Sequence, residues 1–361
     1  MEFNYQWYLK DALFPKNMGK VFSCFACGGG STMGYKLAGF DVIGINEIDK
    51  RMADIYIKNH NPKYAFIEGI QTFKDRTDLP AELYQLDILD GSPPCSSFSM
   101  AGNREKDWGK KKKFAEGQAE QVLDTLFYDF IDLAAKLQPK VVVAENVSGI
   151  LKGNARDYVR KILTAFDKAG YLVQEFELDS SQMEVPQRRE RVFFIAVRKD
   201  LEHLLPKQQG LLFCDFPKLN MKFGRLPIPF DKIRCEGLND APWTAHDQSI
   251  WDRRIIGDRG YGTTLLRTEG RESNFNASYI YPDRAVCTIA SSQGSKVVLF
   301  DEPRQMNSKE LLLAQSFPLD YDFLSDKYSK IKYVLGMSVP PIMMAHLANR
   351  LSSEWNAIFR D

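Results

Sequence analysis

An excess of charge of one sign is missing from this chain: 48 lysines and arginines face 47 aspartates and glutamates across 361 residues. That excludes a generally basic protein, so any nucleic-acid partner must be met by a local basic face. Long apolar runs are missing too. None approaches the roughly 20 residues that span a bilayer, and residues 1–20 carry no signal-peptide core. A soluble, cytoplasmic protein with no membrane partner is expected. Six cysteines, at positions 24, 27, 95, 214, 235 and 287, are too sparse for a disulfide framework and are expected as thiols. No metal site is expected, no internal repeat stands out, and the one biased tract is Lys110–Lys113. What is present is a hydrophobic fraction of 44%, enough for a full core.

From Lys20 to Val197 short apolar runs alternate with helical stretches. Val21–Cys24, Val42–Ile45, Tyr64–Ile67, Leu86–Leu89, Val141–Ala144, Leu172–Phe176 and Val192–Val197 read as strands. Thr32–Ala38, Arg51–Asn59, Gln118–Leu137 and Ala155–Ala169 read as helices. Leu123, Phe127, Phe130, Ile131 and Ala134 keep a helical spacing; Gly39, Pro139 and Gly170 stand where helices should stop. The alternation predicts an α/β fold with a doubly wound, mostly parallel sheet. Beyond Val197 the texture breaks. Residues 199–283 are rich in Gly, Pro, Asp and Arg and predict a smaller, irregular unit. Helical order returns at Ser308–Phe317 and Pro340–Leu351.

Four motifs carry chemistry. In Val21-Phe-Ser-Cys-Phe-Ala-Cys-Gly-Gly-Gly-Ser a strand runs into a glycine turn, where a ligand can approach backbone. Glu47 ends the next strand, where an acid can bind ribose hydroxyls. Gly28, Gly30 and Gly34 do not have the dinucleotide spacing, because Met33 occupies the third glycine's place. A ligand-free turn is the bland alternative. In Leu86-Asp-Ile-Leu-Asp-Gly-Ser-Pro-Pro-Cys, two prolines stiffen the approach to Cys95; a structural cysteine is the alternative. In Val141-Val-Val-Ala-Glu-Asn-Val, Glu145 at a buried strand end is costly unless paired or used; a capping role is the alternative. In Pro186-Gln-Arg-Arg-Glu-Arg-Val, arginines feed directly into a strand; a solvated charge run is the alternative. Cys24 and Cys27 form C-x-x-C, a redox signature, though two small residues in a tight turn explain them as well. Phe25, Glu47, Cys95 and Glu145 all fall at carboxyl ends of predicted strands, the edge where open α/β sheets bind ligands.

In this order, Phe-Ala-x-Gly-Gly-Gly, Pro-Pro-Cys-x-x-Phe-Ser, Glu-Asn-Val, Gln-Arg-Arg-Glu-Arg and a late Gly-Met-Ser-Val-Pro-Pro resemble the motifs of the DNA cytosine-5 methyltransferases. So does Arg304-Gln-Met-Asn-Ser-Lys-Glu-Leu-Leu-Leu-Ala-Gln-Ser-Phe-Pro. The resemblance covers about Lys20–Val197 and Arg304–Leu351. It implies a Rossmann-like class I methyltransferase domain over 1–198, completed by C-terminal helices in 304–361, with a target-recognition domain over 199–303. It also implies S-adenosylmethionine as cofactor and carbon 5 of a flipped-out cytosine in a specific duplex sequence as methyl acceptor.

By that resemblance Cys95 is the nucleophile, Glu145 its acid partner, and Arg189 and Arg191 hold the base carbonyl, Glu145 or a phosphate. Asn146 shapes the strand end. Phe25, Ala26, Cys27, Gly28, Gly29, Gly30, Glu47, Ile48, Ile70, Pro93, Leu126 and Val339 line the cofactor. Arg104, Lys110 and Lys111, in a loop expected to close over the base, suit phosphates; Arg253, Arg254, Arg259, Arg267 and Arg271 are candidate DNA contacts. Four positions depart from the family: Cys27 for a glycine, Ser96 for a glutamine, Met337 for an asparagine, and Glu68-Gly69-Ile70 for Gly-Asp-Ile, which displaces the acid that reads the adenine amino group. The implied partners are double-stranded DNA and, in a restriction–modification setting, a cognate restriction endonuclease, with the chain itself a monomer. Phage and orphan settings are equally open. The competing readings are a tRNA-methylating branch of the family, a catalytically silent DNA-binding relative, and an NAD-dependent oxidoreductase. The last fails on glycine spacing.

Overall fold

The computed structural model describes residues 2–94, 125–152, 155–206, 218–271, 277–292 and 294–360, together with the backbone of Lys111–Lys112 and Gln121–Val122. Seven strands make the central sheet: β1 (Lys20–Cys24), β2 (Asp41–Asn46), β3 (Tyr64–Phe66), β4 (Ile88–Gly91), β7 (Val141–Val147), β8 (Tyr171–Asp179) and β9 (Glu190–Arg198). Their order is β3-β2-β1-β4-β7-β9-β8. Every pairing is parallel except those of β9, which runs antiparallel to both β7 and β8. Each strand expected from the sequence is present. Their near-continuous apolar runs follow from burial on both faces: β1, β4 and β7 are buried almost throughout.

Helices α1 (Gly30–Leu37), α2 (Lys50–His60), α3 (Ile70–Asp75), α4 (Leu126–Leu137) and α5 (Ala155–Lys168) connect the strands. One face of the sheet packs on α3, α4 and α5 through Phe73, Phe127, Phe130, Ile162 and Phe166. The other face packs on α1 and on α10 (Pro341–Glu354), through Tyr35, Ile342, Met343, Leu347 and Leu351. The chain's last helices therefore close a sandwich begun by its first 200 residues. The helix expected from Gln118 starts only at Leu126. Gln121–Val122 (β6) instead pair antiparallel with Lys111–Lys112 (β5). At Gln121–Val122, then, tertiary pairing decides the conformation over helical spacing.

The region after Val197 is more ordered than its composition suggests. It holds α6 (Ala245–Trp251), α7 (Tyr261–Glu269) and a parallel pair, β10 (Ala277–Ile280) with β11 (Lys296–Leu299). Ile250, Tyr261, Leu265, Tyr279 and Val298 form its own small core. A larger cluster joins its Phe230, Ile233, Val286 and Ile289 to α8 (Ser308–Ala314), α9 (Tyr328–Met337) and α2. A short α11 (Asn356–Phe359) ends the chain. Helix α9 was not legible in the sequence; α8 was, and its Asn307–Glu310 capping box explains why.

Candidate active site

The strand order reverses between β1 and β4: from β1 the chain winds outward to β2 and β3, and from β4 it winds the other way. That switch point is where an open α/β sheet leaves a crevice beyond its carboxyl ends. Phe25 follows β1 there, Glu47 follows β2, Pro93 lies two residues past β4, and Glu145 sits near the end of β7.

Glu145 is buried, and its carboxylate lies 2.9 Å from Nε of Arg191 on the neighbouring β9. Burial pulls the Arg191 guanidinium below its ordinary range, while Glu145 holds it charged. Next to Glu145, Asn146 is also buried. Its Nδ2 donates to the Pro93 carbonyl at 3.1 Å, tying β7 to the segment that leads into Cys95. Cys95 itself lies outside the described residues, as do Ser96, Arg104 and Lys110; of Lys111 only the backbone is described.

Arg189 behaves differently from Arg191. It is buried, and it donates to the carbonyls of Ile289 at 3.2 Å and Gly336 at 2.9 Å, with Nε unpartnered. It does not reach Glu145: no ion pair joins the two. Gln187, two residues earlier, takes the Ile289 N–H on its Oε1 and donates to Gln315, which in turn donates to the Leu335 and Ser338 carbonyls. Arg189 and Gln187 thus form a strut between the returning insert and the end of α9. The sequence signal for this strut was present, in the Gln of Gln-Arg-Arg-Glu-Arg, but no role was read for it.

The glycine turn has another physical cause than ligand approach. A Cβ on Gly28 would collide with Val334, on Gly29 with His60, and on Gly30 with the Val339 carbonyl. The turn is glycine because α9, α2 and the segment before α10 press on it. Val339 is therefore a neighbour of the turn by its backbone. Tyr321 donates its hydroxyl to the Gly28 carbonyl at 2.6 Å, and His60 approaches that hydroxyl at 3.3 Å. Phe25 and Cys27 both adopt positive φ, 53° and 47°, a conformation that costs a residue with a Cβ unless its surroundings hold it. The Cys27 amide donates to Glu47 at 2.8 Å, which supplies part of that hold. Burial pushes the Cys27 thiol up to about 12 and the Cys24 thiol well above its ordinary value. Both are free and inert, which disposes of the redox reading.

Glu47 is a buried carboxylate with no cationic partner among the described residues. Its two oxygens each accept one backbone N–H, from Asp49 and Cys27, both at 2.8 Å. Burial pushes it up to about 6 despite those bonds. Lone pairs remain for two hydroxyl donors, so the donor set fits the ribose diol of S-adenosylmethionine. Ile48 and Gly69 lie side by side at the ends of β2 and β3, and Ile70 opens α3. The Glu68 carboxylate pairs with Arg76 at 3.0 Å. Ala26 and Leu126 are buried in the floor of this edge and Phe25 is half-buried, its ring 6.4 Å from Phe130.

One acid escaped the sequence reading. Asp90, the penultimate residue of β4, is buried, accepts from Ser23 Oγ at 2.7 Å and Tyr35 at 3.2 Å, and is pushed up to about 7 by burial. An Asp inside an apolar strand was the signal available. The cleft of about 560 Å³ lined by Lys20, Asp87, Lys140 and Arg198 lies at the opposite edge of the sheet. It has no part in this site, and Lys140 there is paired with Asp87 at 3.0 Å.

The profile of the C-5 cytosine-specific DNA methylases matches residues 19–353. The chain belongs to that family. It is 35% identical to the type II methyltransferase M.NgoPII of Neisseria gonorrhoeae over 90% of this chain and 92% of that protein. It is 34% identical to the type II methyltransferase M.Sau96I of Staphylococcus aureus, over 97% and 81%. Among solved structures, an E. coli prophage protein described as a DNA modification methyltransferase superposes with a TM-score of 0.65 at 20% identity, covering 93% of this chain and 99% of that one. DNMT2 of Spodoptera frugiperda gives 0.60 at 18%, over 92% and 99%. These two show a shared fold. The family in general uses S-adenosylmethionine. No helix among the described residues is long and apolar enough to cross a membrane.

In the region 199–303 the five candidate arginines separate. Arg253 pairs with Glu269 at 2.6 Å, Arg267 with Asp258 at 2.9 Å, and Arg271 with Glu269 at 2.5 Å. Arg254 lies 3.1 Å from the centre of the Trp251 ring and donates to the Trp251 and Phe300 carbonyls. Of the five, Arg259 alone has no side-chain partner among the described residues, and it is exposed.

Proposed function

We propose that this chain methylates carbon 5 of a cytosine flipped out of a specific duplex DNA sequence, with Cys95 as covalent nucleophile and S-adenosylmethionine as donor. The observation that carries the reading is the buried Glu145–Arg191 pair beside a proline-stiffened segment held by Asn146, at the sheet's switch point.

When bound, S-adenosylmethionine supplies an electrophilic sulfonium methyl group, with Glu47 on its ribose and Phe25, Ile48, Ile70 and the turn 26–30 around it. The chain's own residues make cytosine able to accept that methyl. Carbon 5 is a poor nucleophile in the aromatic ring. Addition of the Cys95 thiolate to carbon 6 breaks the aromaticity and places electron density on carbon 5. Glu145 donates a proton or hydrogen bond to ring nitrogen 3, where negative charge collects. Arg191 orients Glu145 and offers its remaining N–H groups to the base carbonyl. Arg189 holds the framework around Arg191 rather than touching the base. After methylation, transfer of the carbon-5 proton to solvent, departure of the Cys95 sulfur as thiolate and return of any nitrogen-3 proton to Glu145 restore the aromatic ring. A base in a duplex cannot reach these groups, so it must leave the stack.

The division of labour proposed is chemistry in 1–198 with 304–361 and sequence reading in 199–303. Duplex DNA is the proposed partner, and a monomer in the cytoplasm the proposed working form. Bisulfite sequencing of DNA from a host expressing the chain tests the reading. Full conversion-resistance at cytosines of one short sequence is expected; uniform conversion everywhere would contradict it.

A further inference from the structure

We infer that Ile256, at the tip of the loop between α6 and α7, reads a thymine methyl group in the major groove of the target duplex; this rests on the DNA-methylating reading above. Residues 255–258 form a tight turn, with the Asp258 amide donating to the Ile255 carbonyl at 3.1 Å. Turn corners favour Gly, Asn, Asp or Pro for identifiable reasons. Here a corner is isoleucine, 86% exposed, beside Ile255 at 51%. An apolar side chain so displayed adds nothing to the core.

The display is rigid. The Asp258 carboxylate accepts the Ile255 amide at 3.1 Å, the Thr264 hydroxyl at 2.9 Å and the Arg267 guanidinium at 2.9 Å. Tyr281 donates its hydroxyl to the Asp258 carbonyl at 2.8 Å and accepts the Gly257 amide at 3.1 Å. Gly257 takes φ of 101°, which leaves the turn sharp and its tip open. Ordering this loop on a partner therefore costs little entropy.

Two features select the partner. Arg259, exposed and without a side-chain partner among the described residues, stands three residues along, the chemistry of a phosphate contact. The apolar surface is a single turn, far below the roughly 800 Å² per side that a stable protein interface needs. It is of the size of a base edge. The one apolar group a base pair shows in the major groove is the thymine methyl. Four of the five candidate arginines are already engaged within the insert, so the apolar tip is the freer reader.

The test uses the full chain on duplexes carrying its methylation site, with each thymine in and beside the site replaced singly by uracil, which lacks the methyl. The wild type is expected to lose about fourfold to tenfold in kcat/KM at one position. Ile256→Ala should lose a similar factor on the thymine duplex, ignore uracil there, and melt at the wild-type temperature. Arg259→Ala should weaken every duplex alike. No uracil-sensitive position in the wild type, or an Ile256→Ala variant with the wild-type rates and uracil response, would overturn the inference. So would a change in sedimentation of Ile256→Ala with unchanged kinetics, which would assign the tip to a second copy. Absence of methylation on any duplex by the wild type would instead overturn the activity, and the inference with it.

Discussion

The sheet edge and the insert are held by different kinds of tie. At the edge, polar groups find partners far away in the chain: Asn146 with Pro93, Arg189 with Ile289 and Gly336, Tyr321 with Gly28. In the insert the charged groups mostly find partners within the insert itself, some near, as Arg267 with Asp258 and Arg271 and Arg253 with Glu269, others far along it, as Lys296 with Asp247 and Arg234 with Asp301. A site whose parts depend on distant segments cannot change one residue without the others. An insert tied to itself can alter its outer loops while its frame stands. Under the proposed division of labour, that difference would let one region keep its chemistry while the other varies.

The largest expected effect falls on the edge. Glu145→Gln removes an acidic proton from a position that must accept developing charge, and should cost about 10²–10⁴-fold in the single-turnover rate. DNA binding should persist. A rate equal to wild type would remove Glu145 from the chemistry. Next is Arg189→Ala, which strands two buried carbonyls and leaves a void. About 2–4 kcal/mol of stability should be lost in urea unfolding. An unaltered unfolding midpoint would mean that the strut carries nothing.

The contrast between regions is sharpened by Arg254→Ala and Arg259→Ala side by side. Arg254 is stacked and bonded within the insert, so its loss should lower stability by about 1 kcal/mol and leave the salt dependence of DNA binding unchanged. Loss of Arg259 should do the reverse, reducing the slope of log K against log salt by about 1. Exchange of these two behaviours would break the comparison.

The smallest effect concerns Asp90. Its folded-state value, pushed up to about 7 by burial, exceeds that of an unfolded aspartate. The native state therefore takes up a proton that the unfolded chain does not, and Asp90 costs least stability when protonated. As pH falls from 8 to 6, wild type should gain about 1 kcal/mol relative to Asp90→Asn. Urea midpoints of the pair that move in parallel over that range would show an unperturbed Asp90.

Much of the fold was legible because inner strands buried on both faces must be apolar, as β1, β4 and β7 nearly are, while the edge strands β3 and β8 are only partly buried. The site was legible where chemistry restricts the residue: Glu145 at a buried strand end, Glu47 after β2, the prolines before Cys95. Two things were not. The glycines at 28–30 were read as room for a ligand, whereas Val334, His60 and Val339 also require them; the Val334 and Val339 contacts reach to the far end of the chain. The insert's arginines were weighted equally, because sequence shows charge but not whether Glu269 or Asp258 already neutralises it. Their near neighbours were visible, yet only the folded loop shows which pairs close. Helix α9 was hidden by its mixed Tyr, Lys and Gly composition.

The account stands on the covalent step at Cys95. A duplex carrying 5-fluorocytosine at the methylated position stalls after methyl transfer, since fluorine cannot leave as a cation. With S-adenosylmethionine present, the wild type should form a denaturation-resistant complex whose modified peptide contains Cys95, and Cys95→Ser should form none. An active wild type that leaves no such complex, or one joined through another residue, would contradict it.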